Sequence, residues 1–318
     1  MFIMKNTYLL FLLLLSIVAV AQDDPMELLE KNTKPTTTFA IATFKSTRVI
    51  NGQSVETIAK RHLDFRIAHR FGALNTGAYN YFGLDQATMR MSLEYGLTND
   101  LMVGIGRSTT QKTFDYFGKY KLLKQSSGAR TIPVSITLFA SIAAVSLSSN
   151  PENSFSSPSF ANNIERWTYC SQILIARKIT DGFSLQISPT YLHRNKVFRL
   201  NSSDASEVFE PNDIFAIGFG GRYKLNKRTS INAEYFYRLP SFNEQYALNS
   251  NYHNSLSVGV DIETGGHVFQ LHFTNSLGMI EKQFIAENTE SWTNGGVHWG
   301  FNLSRTFSFD KKKKKGNW

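Results

Sequence analysis

The chain has 318 residues, a formal net charge of +9 at pH 7 and one cysteine, Cys170. A single cysteine excludes an intrachain disulfide framework and the thiolate clusters of zinc sites, and no cofactor or metal site is predicted. Five of the positive charges belong to the lysine run at 311–315, so the net charge does not indicate nucleic-acid binding.

The first 21 residues have the three parts of a secretory signal peptide. Lys5 supplies a positive start, residues 8–20 are apolar, and Ala19 and Ala21 form a cleavage site before Gln22. The apolar stretch is shorter than the roughly 20 residues that a transmembrane helix needs. We therefore expect a signal peptide at 1–21 that is cleaved after passage through the inner membrane.

Residues 22–61 are predicted to form a segment distinct from the strands that follow. A helical turn is expected at 23–29, a β-prone stretch follows at 39–49, and Asn51-Gly52 is expected to turn the chain. The later strands already make an even number, so this segment is expected to lie in the periplasm or to plug the lumen of a barrel.

The rest of the mature chain alternates between apolar and polar residues, which is typical of strands with one apolar and one polar face. Twelve strands are predicted, at 62–72, 88–97, 101–109, 113–124, 132–147, 164–178, 183–194, 213–225, 229–239, 254–264, 267–277 and 296–309. The sequence therefore predicts an all-β fold: a transmembrane antiparallel up-and-down barrel over 62–309.

The connections between these strands alternate in length. Short ones such as 98–100, 180–182 and 226–228 alternate with long polar ones at 73–87, 148–163, 195–212, 240–253 and 278–295. Outer-membrane barrels have short periplasmic turns and longer external loops. Two alternatives remain open: a 14-stranded barrel that uses 39–49 and one further strand, and a soluble periplasmic β-sandwich.

One face of the predicted strands is apolar and is assigned to lipid. Representative members are Met91, Leu93, Val103, Ile105, Phe215, Phe219, Leu271 and Phe273. A charge at the lipid midplane costs about 2–4 kcal/mol, so the opposite, charged face must point inward.

The inward face carries the residues that we predict to line the lumen and bind solute. They are Asp64, Arg66, Arg70, Arg90, Glu94, Asp115, Lys119, Lys121, Arg222, Lys224, Glu234 and Arg238. They are interpreted either as ion pairs that fill a narrow barrel or as the wall of a weakly anion-favouring pore. Gly104, Gly106, Gly218 and Gly220 share this face. They are interpreted either as room for the N-terminal segment or as sites of close backbone approach and strand bending.

An enzymatic alternative rests on His253 and Ser255, which lie two apart on one strand. A nucleophile beside a base is what acyl transfer needs, and the pair resembles the arrangement in outer-membrane lipid hydrolases. No acidic or amide residue is evidently placed to orient His253, and no metal-binding or dinucleotide motif occurs. The sequence therefore predicts no enzyme and no catalytic residue.

The C-terminal residues 310–318 are predicted to form a basic periplasmic tail. The lysine run at 311–315 could touch anionic headgroups. Phe309 and Trp318 are candidates for the terminal aromatic that the barrel-assembly machinery reads.

Several stretches resemble a known family. They are 42–52, 63–72, 82–85 and 101–108. The chain is similar to an uncharacterised family of outer-membrane β-barrel proteins from Gram-negative bacteria, filed as a domain of unknown function. The resemblance implies the barrel and its location and carries no activity.

The sequence thus favours an outer-membrane barrel that passes or binds small solutes, with a small anion as the candidate, through a narrow, charged and partly occluded lumen. The alternative is a closed structural or partner-binding barrel, and a lipid-modifying hydrolase is the third hypothesis. The expected partners are outer-membrane lipid and the assembly machinery. The sequence does not indicate the oligomeric state.

Overall fold

Twelve antiparallel strands close into a barrel in this computed structural model, which describes residues 36–147, 160–197, 211–240 and 252–310. The strands among these residues are β1 Thr37–Phe39, β2 His62–Ala73, β3 Ala87–Gly96, β4 Leu101–Ser108, β5 Thr113–Leu123, β6 Ser126–Gly128, β7 Ser135–Val145, β8 Trp167–Lys178, β9 Phe183–Arg194, β10 Asp213–Lys224, β11 Thr229–Arg238, β12 Ser255–Thr264, β13 His267–Thr274 and β14 His298–Ser308.

Helical structure in the described part of the chain is limited to single turns. Short 3-10 helices span Leu74–Thr76, Ala78–Gly83, Thr110–Lys112, Ile164–Arg166 and Trp292–Asn294, and a π-helix spans Lys282–Ala286. None of the helices in these ranges is long and apolar enough to cross a membrane.

The barrel closes where the last strand pairs with the first strand of the ring. Leu303 of β14 lies opposite Ile67 of β2, and each remaining strand pairs with its neighbours in chain order. On the outer side of this seam, His69 stacks on Phe301 and Phe71 stacks on Trp299, both with ring centroids 5.1 Å apart. Closure leaves no free strand edge in the ring.

The twelve predicted strands are confirmed, with bounds that differ by a few residues. The fourteen-stranded alternative is wrong, because β1 pairs with β6 in a separate two-stranded sheet at one end of the barrel. The β-sandwich alternative is wrong because the twelve strands close into a single barrel. The predicted strand at 164–178 begins at Trp167, since a 3-10 turn occupies its first residues.

Burial alternates along the barrel strands as the sequence pattern requires. On β3, for example, Met91 and Leu93 are exposed whereas Arg90 and Glu94 are buried. The exposed members form an apolar outer surface, and the buried members point into the lumen. Because the side-chain period is two, a slip of one residue would exchange the two sets.

The two ends of the barrel differ as predicted. At the turn end, short connections such as that between Gly96 and Leu101 close with a Leu97 N–H to Leu101 O hydrogen bond of 2.9 Å. At the loop end most connections are long, whereas the one between Ser108 and Thr113 is short. The predicted signal peptide, residues 148–159, 198–210 and 241–251 of the long loops, and the lysine run at 311–315 lie outside the described residues.

One long connection departs from its prediction. The stretch at 278–295 was expected to be an external loop, but Met279, Ile280, Phe284 and Ile285 are buried inside the barrel. We call residues 275–291 the inward loop. It enters the lumen from the loop end and carries the π-helix.

Candidate functional site

The centre of the lumen is occupied by residues 43–55, which we call the lumen segment. This stretch is buried except for Lys45, and enters from the turn end. It forms a tight turn in which the Val49 N–H donates to Gly52 O at 2.8 Å and the Ser54 N–H donates to Thr47 O at 2.9 Å. The predicted turn at Asn51-Gly52 is therefore confirmed. The bounds 22–61 and 310–318 for separate segments stay predictions.

Glu234 on β11 holds the tip of that turn. Its carboxylate accepts three successive backbone N–H groups, from Ile50 at 3.1 Å, Asn51 at 2.8 Å and Gly52 at 3.0 Å. Successive amides that converge on one point form a site for an anion. A buried barrel carboxylate thus fills the place that an external anion would take.

Arg70 on β2 extends the contact along the adjoining wall. Its guanidinium donates to Asn51 Oδ1 at 2.8 Å and to Asn302 Oδ1 at 3.0 Å. Asn302 Nδ2 donates in turn to Ile50 O at 3.0 Å, and Gln270 Nε2 donates to Val49 O at 2.9 Å. Backbone groups that the turn leaves unpaired are therefore satisfied by the wall.

A second group of charges holds the base of the turn. Lys119 on β5 donates to Ser54 O at 3.0 Å, and Thr47 donates to Glu94 on β3. Arg66 on β2 donates to Thr47 Oγ1 at 2.8 Å and lies 3.7 Å from Glu94. These buried charges are neutralised by one another and by the lumen segment.

The twelve predicted lumen residues therefore fall into three groups. Seven contact the lumen segment or Glu56, the residue that follows it: Arg66, Arg70, Glu94, Lys119, Lys121, Arg222 and Glu234. Three pair within the wall: Asp64 with Arg66, and Arg90 with Asp115. Arg238 donates to Ala286 O of the inward loop, and Lys224 is half-buried at the turn end. Their role in solute binding stays a prediction.

The inward-facing glycines make room in two different ways. A Cβ at Gly220 would lie 3.3 Å from Val49 Cγ2, so this glycine admits the lumen segment. At Gly104 and Gly218 the space is filled instead by the rings of Phe117 and Phe236 from neighbouring strands. The prediction that the N-terminal segment fills the space at Gly104 and Gly218 is therefore wrong.

An apolar cluster that was not predicted from the sequence lies inside the lumen. Phe139, Leu174 and Leu192 of the wall pack with Phe44 and Val55 of the lumen segment in one buried cluster. Phe284 of the inward loop joins it, edge-on to Phe236 with centroids 4.9 Å apart. A signal existed: residues 173–176 of β8 are all apolar, which indicates a strand buried on both faces.

The loop end is tied by further ion pairs. Lys282 pairs with Glu287, and Lys196 pairs with Glu165 at 3.0 Å. Hydrogen bonds from the Lys196 ammonium and the Ala161 N–H lower the pKa of Glu165 below its ordinary value. Glu165 therefore stays ionised under mildly acidic conditions.

His253 and Ser255 do not form a hydrogen-bonded pair in the described part of the chain. Ser255 is buried with no hydrogen-bond partner for its hydroxyl among the described residues, whereas His253 is exposed at the loop end. The described residues also contain no cluster of three or more His, Cys, Asp or Glu side chains that could hold a metal.

Residues 44–307 match the model of a family described as "Membrane bound beta barrel domain (DUF5777)". The chain belongs to this family. The match begins at Phe44, so the family's domain includes the lumen segment together with the barrel. The resemblance seen in the sequence is confirmed, and the protein is a membrane-bound β-barrel.

Distant similarities to solved barrels were also found. The chain is similar to the "KdgM porin", with 11% identity, a TM-score of 0.42, and coverage of 78% of this chain and 99% of that one. It is similar to the outer membrane protein Omp33 of Acinetobacter baumannii, with 9% identity, a TM-score of 0.38, and coverage of 79% and 100%. No curated protein matches the chain.

Proposed function

We propose that this protein is an outer-membrane barrel that passes or binds small solutes when the lumen segment and the inward loop are displaced. The observation that carries the proposal is the polar character of the contact between lumen segment and wall. Replacing buried ion pairs with well-packed apolar residues is often neutral or stabilising. A wall that keeps its charges is suited to an interior that is at times filled with water.

The charge of the wall favours anionic solutes. The predicted lumen residues comprise eight Lys or Arg and four Asp or Glu. Rings of basic side chains favour anions in pores. With the lumen segment displaced, Glu234 would lose its backbone donors, while Arg70 and Lys119 would be free to meet a solute.

The outer membrane is the location that we propose. The apolar outer surface of the closed barrel suits contact with lipid, and the predicted signal peptide would take the chain through the inner membrane. Outer-membrane lipid and the barrel-assembly machinery are then the general partners.

The apolar cluster favours a second candidate function. Phe44, Val55 and Phe284 fill the lumen as a protein core is filled, which would suit a permanently closed barrel that acts as a structural or partner-binding element. Such a barrel would conduct under no condition that leaves it folded.

A planar-bilayer recording separates the two candidates. The mature protein and a variant that lacks residues 22–61 are reconstituted and recorded under a KCl gradient. We expect the mature protein to be silent most of the time, and the variant to give discrete current steps with an anion-favouring reversal potential. A folded variant without current would overturn solute passage and favour the closed barrel; a cation-favouring reversal would overturn the anion preference.

A further inference from the structure

We infer that the lumen segment and the inward loop are coupled through Glu281, so that displacing either one loosens the other. Two coupled segments would then close the barrel, one from each end. This inference rests on the proposed function for its purpose, but the contact itself can be tested without any measurement of current.

The contact joins segments that enter from opposite ends of the barrel. Glu281 lies on the inward loop just before the π-helix, and its Oε1 accepts a hydrogen bond from Gln53 Nε2 at 2.9 Å. Arg48 Nη1 lies 3.5 Å from the same oxygen and contacts Met279 O. Two side chains of the lumen segment thus hold one carboxylate of the loop.

All three side chains are buried, which gives the contact its effect. Arg48 and Glu281 have 3% and 4% of their side-chain surface exposed, and Gln53 is equally buried. A buried charge that loses its partner is strongly destabilised because water does not replace the partner. If the loop moves away, Arg48 loses the carboxylate with which it pairs among the described residues, and the lumen segment must adjust.

Two nitrogen atoms of the Arg48 side chain make no hydrogen bond to the described residues, so its buried charge depends more strongly on the contact with Glu281. Its Nε and Nη2 atoms have no hydrogen-bond partner within the described part of the chain. Its remaining side-chain contacts include carbonyl groups, such as Asn51 O at 2.6 Å, and the face of the Phe117 ring, whose centroid is 5.8 Å away. Glu281 is the carboxylate with which it forms an ion pair in the described part of the chain.

The residues that directly follow Glu281 in the inward loop rest on a turn with left-handed backbone. Lys282 donates to Gln111 Oε1 at 2.8 Å, and Gln283 Nε2 donates to Thr110 O at 3.3 Å. Gln111 and Lys112 both have left-handed backbone conformations, with φ of 54° and 48°. Such residues keep this conformation only where surrounding contacts impose it. The turn is therefore free to relax when the loop leaves.

Two reporter cysteines measure the coupling in a Cys170→Ala background of the full-length protein. Ala286→Cys reports on the inward loop, and Thr43→Cys reports on the lumen segment; both positions are buried. The labelling rate of each by a maleimide is followed in detergent micelles. Arg48→Met, Glu281→Leu and the double variant are each tested on both reporters.

Coupling is reciprocal, so each change must act on the distant reporter. We expect each single variant to raise the labelling rate of the reporter on the other segment at least tenfold. The labelling rate of the double variant should be close to that of the single variants. Glu281→Gln, which keeps an acceptor for Gln53, should have a smaller effect. Lys124→Met is the matched control, since it removes the ion pair with Asp100 at the turn end and touches neither the lumen segment nor the loop.

The inference is overturned if the distant reporters keep their rates in variants that run as folded barrels on unheated gels. It is also overturned if the double variant shows the product of the two single effects, because independent sites give additive free energies. Neither outcome changes the current expected from the variant that lacks residues 22–61.

Discussion

Replacing Glu234 with leucine is expected to release the lumen segment and open the barrel. The change leaves the N–H groups of Ile50, Asn51 and Gly52 without their acceptor inside the lumen. Each buried unsatisfied group costs about 1–3 kcal/mol. Because 1.4 kcal/mol is a factor of ten, we expect the open population to rise by roughly a hundredfold or more. Single-channel recording should show frequent current steps.

Two variants control for that result. Glu234→Gln keeps one oxygen as an acceptor and should give a smaller rise. Asp100→Leu removes a half-exposed carboxylate at the turn end that pairs with Lys124 outside the lumen segment, and should leave the current unchanged. A silent, folded Glu234→Leu barrel would mean that the three hydrogen bonds do not hold the segment in place.

Replacing Phe284 with alanine is expected to loosen the inward loop. Phe284 is fully buried, and its ring packs edge-on to Phe236 in the apolar cluster. A Phe-to-Ala change in a core costs about 3–5 kcal/mol. Opening the loop requires less free energy than unfolding the barrel. The lost packing free energy should therefore raise the exposed population of the loop by roughly a hundredfold or more. Limited proteolysis of intact cells measures that exposure.

The control for this prediction is Ile164→Ala at the loop end. Ile164 is 69% exposed, so its truncation should leave the cleavage rate unchanged. Cleavage of Phe284→Ala at the unmodified rate, in a barrel that remains folded, would contradict the role given to this ring.

The barrel could be predicted from the sequence because its signal is local. Alternation along each strand sets which residues face lipid, and the alternating connection lengths set the topology. Strand ends were the least certain, as at Trp167, where a 3-10 turn replaces the predicted start of β8.

The filling of the lumen could not be predicted in the same way, because its contacts are distant in the sequence. Glu281, Lys282 and Glu287 made the inward loop look solvated. Their partners include Arg48 and Gln111, more than 150 residues away. The sequence left the lumen segment as either periplasmic or a plug, since Asn51-Gly52 indicates a turn but not where it packs.

The barrel is proposed to open by displacement of the lumen segment. Val49 and Gly220 allow a direct test, since a Cβ at Gly220 would lie 3.3 Å from Val49 Cγ2, the position that a cysteine sulfur would take at residue 49. The variant Val49→Cys/Gly220→Cys is built on Cys170→Ala and Glu234→Leu, and its current is recorded before and after reduction. We predict silence while the disulfide is intact and current steps once it is reduced. Equal currents in both states would contradict the claim.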